Sequence, residues 1–384
     1  MMWEKVKIGD VYEGLYDGPH ATPPTSDDGA IFLGISNITK DGHIDLSDIK
    51  YINENDLPKW TKRVTPKGGD IVFSYEATLN LYAIIPDDFW GCLGRRMALI
   101  RPDETKAHGK YLYYYFFSEE WRSTVSSHII TGATVDRIPI AKFPKFIISL
   151  PPMEKQHKIA NILSNYDDLI VNNKKQIKLL EEAAQRLYKE WFVDLRFPGY
   201  EDVEIVDGIP EGWAEGTLGD IAFFKRGKTI TKASVHEGSV PVVAGGLEPA
   251  YYHNKSNTVA PVITVSGSGA NAGFTRLYNV DVFASDCSFA DSQSTEYLYF
   301  AYCFLKANMS QMQALQKGSA QPHVYAKDIN ALELLIPHEN ILNQFCGIVA
   351  PLWGKIGLLQ RQIPQAKQAR DRLLPKLMSG KLEV

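Results

Sequence analysis

From Leu163 to Trp191 the residues Leu163, Tyr166, Ile170, Asn173, Ile177, Leu180, Ala184, Leu187 and Trp191 fall at alternating steps of three and four, and Asn173 is the one polar member. That spacing keeps one face of an α-helix apolar over about eight turns and predicts a long helix with a heptad seam. A second stripe of the same kind runs through Val349, Leu352, Ile356, Leu359, Ile363, Ala366, Arg370, Leu373 and Leu377. Two matching stripes predict that the helices pack on each other. Their direction is antiparallel, because the chain leaves along one and must return along the other. The alternative is that each stripe covers only its own globular part. Pro364 lies inside the second stripe, where proline removes a hydrogen bond and crowds the preceding turn at roughly 3 kcal/mol, so a kink or break is expected there. Pro151-Pro152 and Pro337 stand just ahead of the helices and end two short apolar runs, 146–150 and 332–336.

Elsewhere the pattern is strand-like. Short runs such as Ile31-Phe32-Leu33, Ile71-Val72-Phe73, 261–265 and 280–283 sit between Gly, Asn, Asp and Ser clusters, and one amphipathic helix follows at 110–120 and again at 295–306. The recurrence is general. An ungapped offset of 186 residues lays Tyr111-Leu112-Tyr113 on Tyr297-Leu298-Tyr299, Gly132 on Gly318, Pro151 on Pro337, Gln176-Ile177 on Gln362-Ile363 and Arg186-Leu187 on Arg372-Leu373. Near the start of each half the offset is 210, matching Trp3 with Trp213 and Ile8-Gly9-Asp10-Val11 with Leu218-Gly219-Asp220-Ile221, so the first half carries about 24 extra residues. The expected fold is α+β: two strand-rich domains in a pseudo-two-fold tandem repeat, separated by two long antiparallel coiled-coil helices. The boundaries read from the pattern are a first domain at 1–152, a first spacer helix at 153–196, a linker at 197–212, a second domain at 213–337 and a second spacer helix at 338–384.

Composition narrows the class. Of 384 residues 45% are apolar and 22% charged, which excludes a mostly disordered, collagenous or purely coiled-coil chain. No run of about 18 apolar residues is visible, so a cytoplasmic protein without a membrane segment is expected. Cys92, Cys287, Cys303 and Cys346 form no C-x-x-C pair, and the nine histidines show no zinc-binding spacing. No catalytic residue and no metal ligand emerge. Gly267-Ser268-Gly269-Ala270-Asn271-Ala272 fits a loose dinucleotide fingerprint, yet turn and strand follow instead of the required helix, so a hairpin tip is the better reading. Gly227-Lys228-Thr229 has Ala222 where a phosphate-binding loop needs its first glycine.

A net charge of −4 and a pI near 6.2 do not suit a simple basic DNA binder. Read by location, however, each half has its own cationic cluster. The first holds Lys62, Arg63 and Lys67 around Trp60, with Arg95-Arg96 after a glycine-flanked run; the second holds Lys225, Arg226, Lys228 and Lys232, with Thr229 among them and Arg276 further on. Such cations neutralise phosphates. Short polar groups on Gly-rich loops, here Ser36, Asn37, Ser74, Tyr75, Asn80, Ser266, Ser268 and Asn271, could reach base edges.

Several segments carry a resemblance to a known family. Ser149-Leu150-Pro151-Pro152-Met153-Glu154-Lys155-Gln156 with Ile159-Ala160-Asn161-Ile162-Leu163, the run from Trp191 to Tyr200, the entry Ile209-Pro210-Glu211-Gly212-Trp213 and the ending from Leu377 to Leu382 resemble the specificity subunit of type I restriction-modification systems. Pro364 and the junction from Pro337 to Gln344 depart from that pattern. The resemblance implies that each globular domain is a target-recognition domain reading one half of a bipartite, asymmetric site in double-stranded DNA. It implies a non-catalytic subunit in a prokaryotic cytoplasm, whose helices form the spacer and dock two modification subunits, with restriction subunits completing the complex. S-adenosylmethionine, ATP and Mg would then sit on those partners and no cofactor on this chain. A two-headed, non-catalytic scaffold for a non-nucleic ligand is the alternative.

Overall fold

The computed structural model of the chain describes residues 3–132, 135–318 and 321–384. The chain divides into two compact units, residues 1–170 with 365–384 and residues 171–364.

Among the described residues of the first unit, nine strands are arranged in three sheets. They are β1 (Glu4–Lys7), β2 (Tyr12–Asp17), β3 (Ala30–Leu33), β4 (Lys50–Ile52), β5 (Ile71–Ser74), β6 (Tyr82–Ile84), β7 (Gly91–Leu93), β8 (Met97–Pro102) and β9 (Ile147–Leu150). A four-stranded antiparallel sheet has the order β2-β8-β5-β6, a three-stranded one the order β4-β3-β7 with β3 and β7 parallel, and β1 pairs with β9. Period-two alternation builds the layers. Ile71, Phe73, Ala98 and Ile100 join a core with Tyr111, Phe116 and Trp121 of α1 (Gly109–Tyr115) and its sequel α2 (Glu119–Ser126). Their neighbours Val72, Met97 and Leu99 pack with Leu33 and Leu93 of the small sheet. The indole Nε1 of Trp121 donates to the Tyr82 hydroxyl at 2.8 Å, so this aromatic core leaves no polar orphan there. The long helix α3 (Met153–Tyr188) follows, prolonged by a π-helical turn at Lys189–Val193.

After a two-stranded ladder of its own, Ile205–Val206 with Ile209–Pro210, the second unit repeats this order strand for strand: β10 (Ala214–Thr217), β11 (Lys225–Arg226), β12 (Val240–Val243), β13 (Tyr251–His253), β14 (Val262–Ser266), β15 (Thr275–Tyr278), β16 (Phe283–Ala284), β17 (Cys287–Asp291) and β18 (Glu333–Ile336). The sheets run β11-β17-β14-β15 and β13-β12-β16, the latter again with one parallel pair, and β10 pairs with β18. Helices α4 (Leu298–Ala307) and α5 (Met309–Ala314) cover the larger sheet, and α6 (Glu339–Met378) follows the closing strand. The additional length of the first copy lies mainly in two connections, 34–49 and 53–70, against 244–250 and 254–261 in the second.

The long helices pair antiparallel within each unit. In the second, Asn173 Nδ2 donates to Gln362 Oε1 at 3.2 Å while Tyr188 reaches Phe345, ring centroids 6.2 Å apart, so one number falls as the other rises. In the first, Asp167 meets Arg370 and Lys155 meets Glu383. No position of either predicted stripe is exposed. The expected break at Pro364 needs correction, since α6 runs as one helix through Pro351 and Pro364. Both prolines are exposed, as are Gly347 and Gln360, whose carbonyls lose their partners, so water can take the place of the missing N–H. Among the described residues α6 is the one helix long and apolar enough by composition to cross a membrane, although Asn343, Gln344 and Lys355 interrupt its apolar positions. Its Phe345, Val349, Trp353 and Ile356 are buried among α3 and α4 residues, while Ile348 and Leu358 remain exposed, so packing accounts for part of the apolar character.

Candidate nucleic-acid interface

One end of the larger sheet in the first unit is formed by the β5–β6 tip, the β7–β8 turn and the loop after β2. Main-chain bonds brace them: Tyr75 N–H donates to Arg96 O at 3.2 Å, Ile138 N–H to Tyr75 O at 2.7 Å and Ala77 N–H to Asp136 O at 3.0 Å. At this end Arg63 pairs with Asp17, which His20 also approaches at 3.1 Å, and Arg96 pairs with Glu76 at 3.4 Å. Burial raises the Tyr75 hydroxyl above its ordinary value, and the charges of Asp17 and Glu76 add to it. Lys62 and Arg95 are exposed and make no side-chain hydrogen bond or ion pair among the described residues. A cavity of about 390 Å³ opens beside them, lined by His20, Lys59, Trp60, Lys62 and Arg63.

The corresponding end of the second unit is made of the β14–β15 tip, the β16–β17 turn and the start of β12's following loop. The Gly267–Phe274 segment is a hairpin tip between antiparallel strands, with Gly269 at φ 81°, a left-handed conformation that glycine adopts without strain. Ser268 Oγ donates to Asp286, and Arg226 pairs with Asp286 at 3.2 Å. Gly269 N–H donates to Pro322 O at 3.0 Å and Val324 N–H to Gly267 O at 3.1 Å. Lys225, Lys228, Thr229 and Lys232 are exposed, and none of their side chains has a polar partner among the described residues.

Several residues expected to touch DNA are instead committed to the fold. Asn37 is buried, accepting from Gly34 N–H at 3.0 Å and donating to the carbonyls of Asp45 and Asp48, whereas Ser36 beside it is exposed. Ser74 is fully buried and accepts from Leu81 N–H at 3.3 Å; Tyr75 is buried with its hydroxyl donating to Arg95 O at 3.2 Å. Asn80 sits at φ 61° and accepts from the Tyr82 hydroxyl, a turn role suited to asparagine. Ser266 is buried with its hydroxyl on Gly245 O at 3.1 Å, a carbonyl that Asn271 also reaches at 3.5 Å. Arg276 is held by Leu247 O at 3.0 Å, by Glu248 and over the Tyr278 ring. Lys67 lies at the opposite end of the sheet, next to the bidentate Asp70–Arg101 pair, so it is no part of the cluster. Burial pushes the thiols of Cys92 and Cys287 up to about 12, so both are neutral and unreactive near pH 7.

Two residues were missed. Isolated bridges pair Glu76 with Arg137 in the first unit and Ser268 with His323 in the second. Arg137 is exposed, and His323 stacks on Tyr325 with centroids 6.0 Å apart. The two stand 186 residues apart, so the repeat offset itself was the signal that could have found them. What remains at each loop end is a set of unpaired cations beside short polar side chains, a surface that can neutralise phosphates and reach base edges.

Comparison with known proteins places this architecture. The family described as type I restriction modification DNA specificity domain matches residues 2–182 and 210–366. The chain is 29% identical over 364 residues to the type I restriction enzyme MjaIX specificity subunit of Methanocaldococcus jannaschii, covering 87% of this chain and 82% of that protein. It is 25% identical over 311 residues, 79% of each chain, to a putative type I specificity subunit of Mycoplasma genitalium. The fold is shared with the crystal structure of a type I restriction-modification S subunit from M. genitalium, with a TM-score of 0.62 at 18% identity over 98% of this chain and 96% of the other. With the matched segments covering most of its length in two successive copies, the chain belongs to the family of type I restriction modification DNA specificity domains.

Proposed function

We propose that this chain is the non-catalytic specificity subunit of a prokaryotic type I restriction-modification complex, acting in the cytoplasm on the cell's own and invading double-stranded DNA. Each unit reads one half of a split site through its loop end, and the paired long helices hold the number of base pairs between the halves. The observation that carries this reading is the strand-for-strand repetition of the sheets with divergent loop ends: one scaffold is used twice with different contact chemistry. The halves therefore differ in sequence, and each spans roughly three to five base pairs. Two modification subunits dock on the outward faces of the helices, where Val171, Leu179, Ile348 and Leu358 of the second unit and Leu169 of the first leave apolar surface exposed. Restriction subunits join that core. S-adenosylmethionine, ATP and Mg belong to those partners, and this chain supplies position rather than chemistry.

The test is an exchange of residues 1–150 for the matching part of a relative, followed by mapping of the methylated sequence in the assembled complex. One half of the site should change and the other stay. A change in both halves or in neither refutes the assignment, and methylation by this chain alone refutes its non-catalytic role.

A further inference from the structure

The helix ends are buried in the globular cores of their units, but along the seam between them the apolar pattern is periodic and by itself does not single out one register. Leu163, Ile170 and Ile177 on α3, and Ile356, Ile363 and Leu377 on α6, recur at multiples of seven, and a slip of one heptad would again set apolar against apolar. Two polar pairs break this degeneracy. In the first unit Asp167 and Arg370, 9% and 7% exposed, form an ion pair inside the seam, and the Tyr114 hydroxyl of α1 donates to the second carboxylate oxygen of Asp167. In the second unit Asn173, 2% exposed, bonds Gln362. A slip by seven residues in either direction would set Asp167 opposite Ile363 or Leu377, and Arg370 opposite Ala160 or Lys174. Asn173 would face Lys355 or Ala369. A buried charge or amide stripped of its partner is strongly destabilising, whereas the apolar positions would tolerate the move.

We propose that Asp167–Arg370 and Asn173–Gln362 are the register pins of the helix pair, and that through this register they fix the length of the central, unread stretch of the DNA site. The second half of this proposal rests on the reading of the chain as a split-site DNA reader. These are positioning residues, since none of them need touch DNA. The tie from Tyr114 makes Asp167 a common point of the globular part and the seam, so the pin also holds α3 against its own unit.

The test uses the full chain in complex with its modification subunits and two variants, Asp167→Leu with Arg370→Leu and Tyr114→Phe, which removes the hydroxyl that would lose its acceptor, and Asn173→Leu with Gln362→Leu. Each replaces a polar pair by an apolar one, a change that need not destabilise the fold. A zero-length carbodiimide cross-link reports the register without DNA: wild type should join Lys155 to Glu383 and Lys367 to Asp41, which lie 3.7 and 3.1 Å apart. In the first variant both links should at least halve while thermal stability is kept. A heptad slip moves the helices about 10 Å, or about three base pairs at 3.4 Å each. Both variants should therefore methylate sites whose central stretch is about three base pairs longer or shorter, alongside the native length, whereas wild type methylates one length only. Cooperative melting with an unchanged cross-link map and a single accepted length in both variants overturns the proposal. A wild-type complex that marks no split site at all overturns the functional reading and the spacing claim with it, while the cross-link map still decides the register claim.

Discussion

The two units share strand order and differ in how they settle their charges. Asp70 and Asp291 make the contrast plain, for both are buried carboxylates at the same end of the larger sheet. Asp70 is held by a bidentate Arg101 at 2.8 Å and by Lys67 N–H at 2.8 Å. Among the described residues Asp291 has no cation; it accepts from Val259 N–H at 3.1 Å and from the Ser294 hydroxyl at 2.9 Å. The loop ends differ in the same sense. Arg63 and Arg96 of the first are paired to Asp17 and Glu76 and are joined by an inserted segment around Trp60, while the second pairs Arg226 with Asp286 and adds a glycine hairpin and a row of exposed lysines. The backbone ladder thus tolerates different chemistry at its margins, because strand pairing and the apolar layers carry the fold while the loops answer to what they contact.

The comparison breaks first if the cores are not equivalent. Ile356→Asp, at a fully buried seam position, should cost roughly 4 kcal/mol or more in denaturant unfolding, and Ile170→Asp a comparable amount in the other unit. A loss under 1 kcal/mol in either would mean that its helix pair contributes little. Next comes the charge contrast. Arg101→Leu leaves Asp70 buried without its cation and should cost about 3–5 kcal/mol, while Asp291→Asn keeps one acceptor oxygen for Val259 N–H and can donate its amide to the Ser294 hydroxyl oxygen, so it should cost about 1 kcal/mol. Equal losses would erase the distinction between the units.

Acid exposes a smaller difference. Burial alone would raise the Asp41 carboxyl, but the Thr39 hydroxyl and Lys367 outweigh it and hold the group below the usual carboxylate range. A depressed native value adds stability above about pH 4 that fades as the pH falls through and below that point. Asp41→Asn should therefore be less stable than wild type at pH 6 and equal to it in strong acid, as followed by chemical unfolding at several pH values. The least effect is on affinity. Lys62→Ala and Lys225→Ala should each lower the slope of log affinity against log salt by about 0.9 on target DNA and leave the melting temperature unchanged. Lys175→Ala, exposed on α3, should alter neither.

The helix seam was legible in the sequence because helical spacing is a physical consequence of burying one face, and the repeat was legible because two copies of one scaffold keep their glycines and prolines at fixed offsets. The loop chemistry was not. Asn37, Ser74, Tyr75 and Ser266 were read as surface contacts, yet a buried polar side chain that satisfies main-chain groups has the same letters as one that faces water. Arg137 was missed as a single basic residue whose only sequence signal was the repeat offset to His323, and its bridge to Glu76 brings it to the loop end. Pro364 suggested a break that the helix does not make, because a proline whose unpaired carbonyl faces water can stay within a helix.

The short ladders β1–β9 and β10–β18 have a consequence for inheritance. By pairing its first strand with its last, each globular part brings its own entry and exit together, so that a genetic exchange with crossover points at those strands delivers a cassette already closed upon itself. The recipient need supply only two adjoining ends and the neighbouring helix. Recombination at two places can therefore invent a new target in one step, with no period of half-folded intermediates for selection to remove.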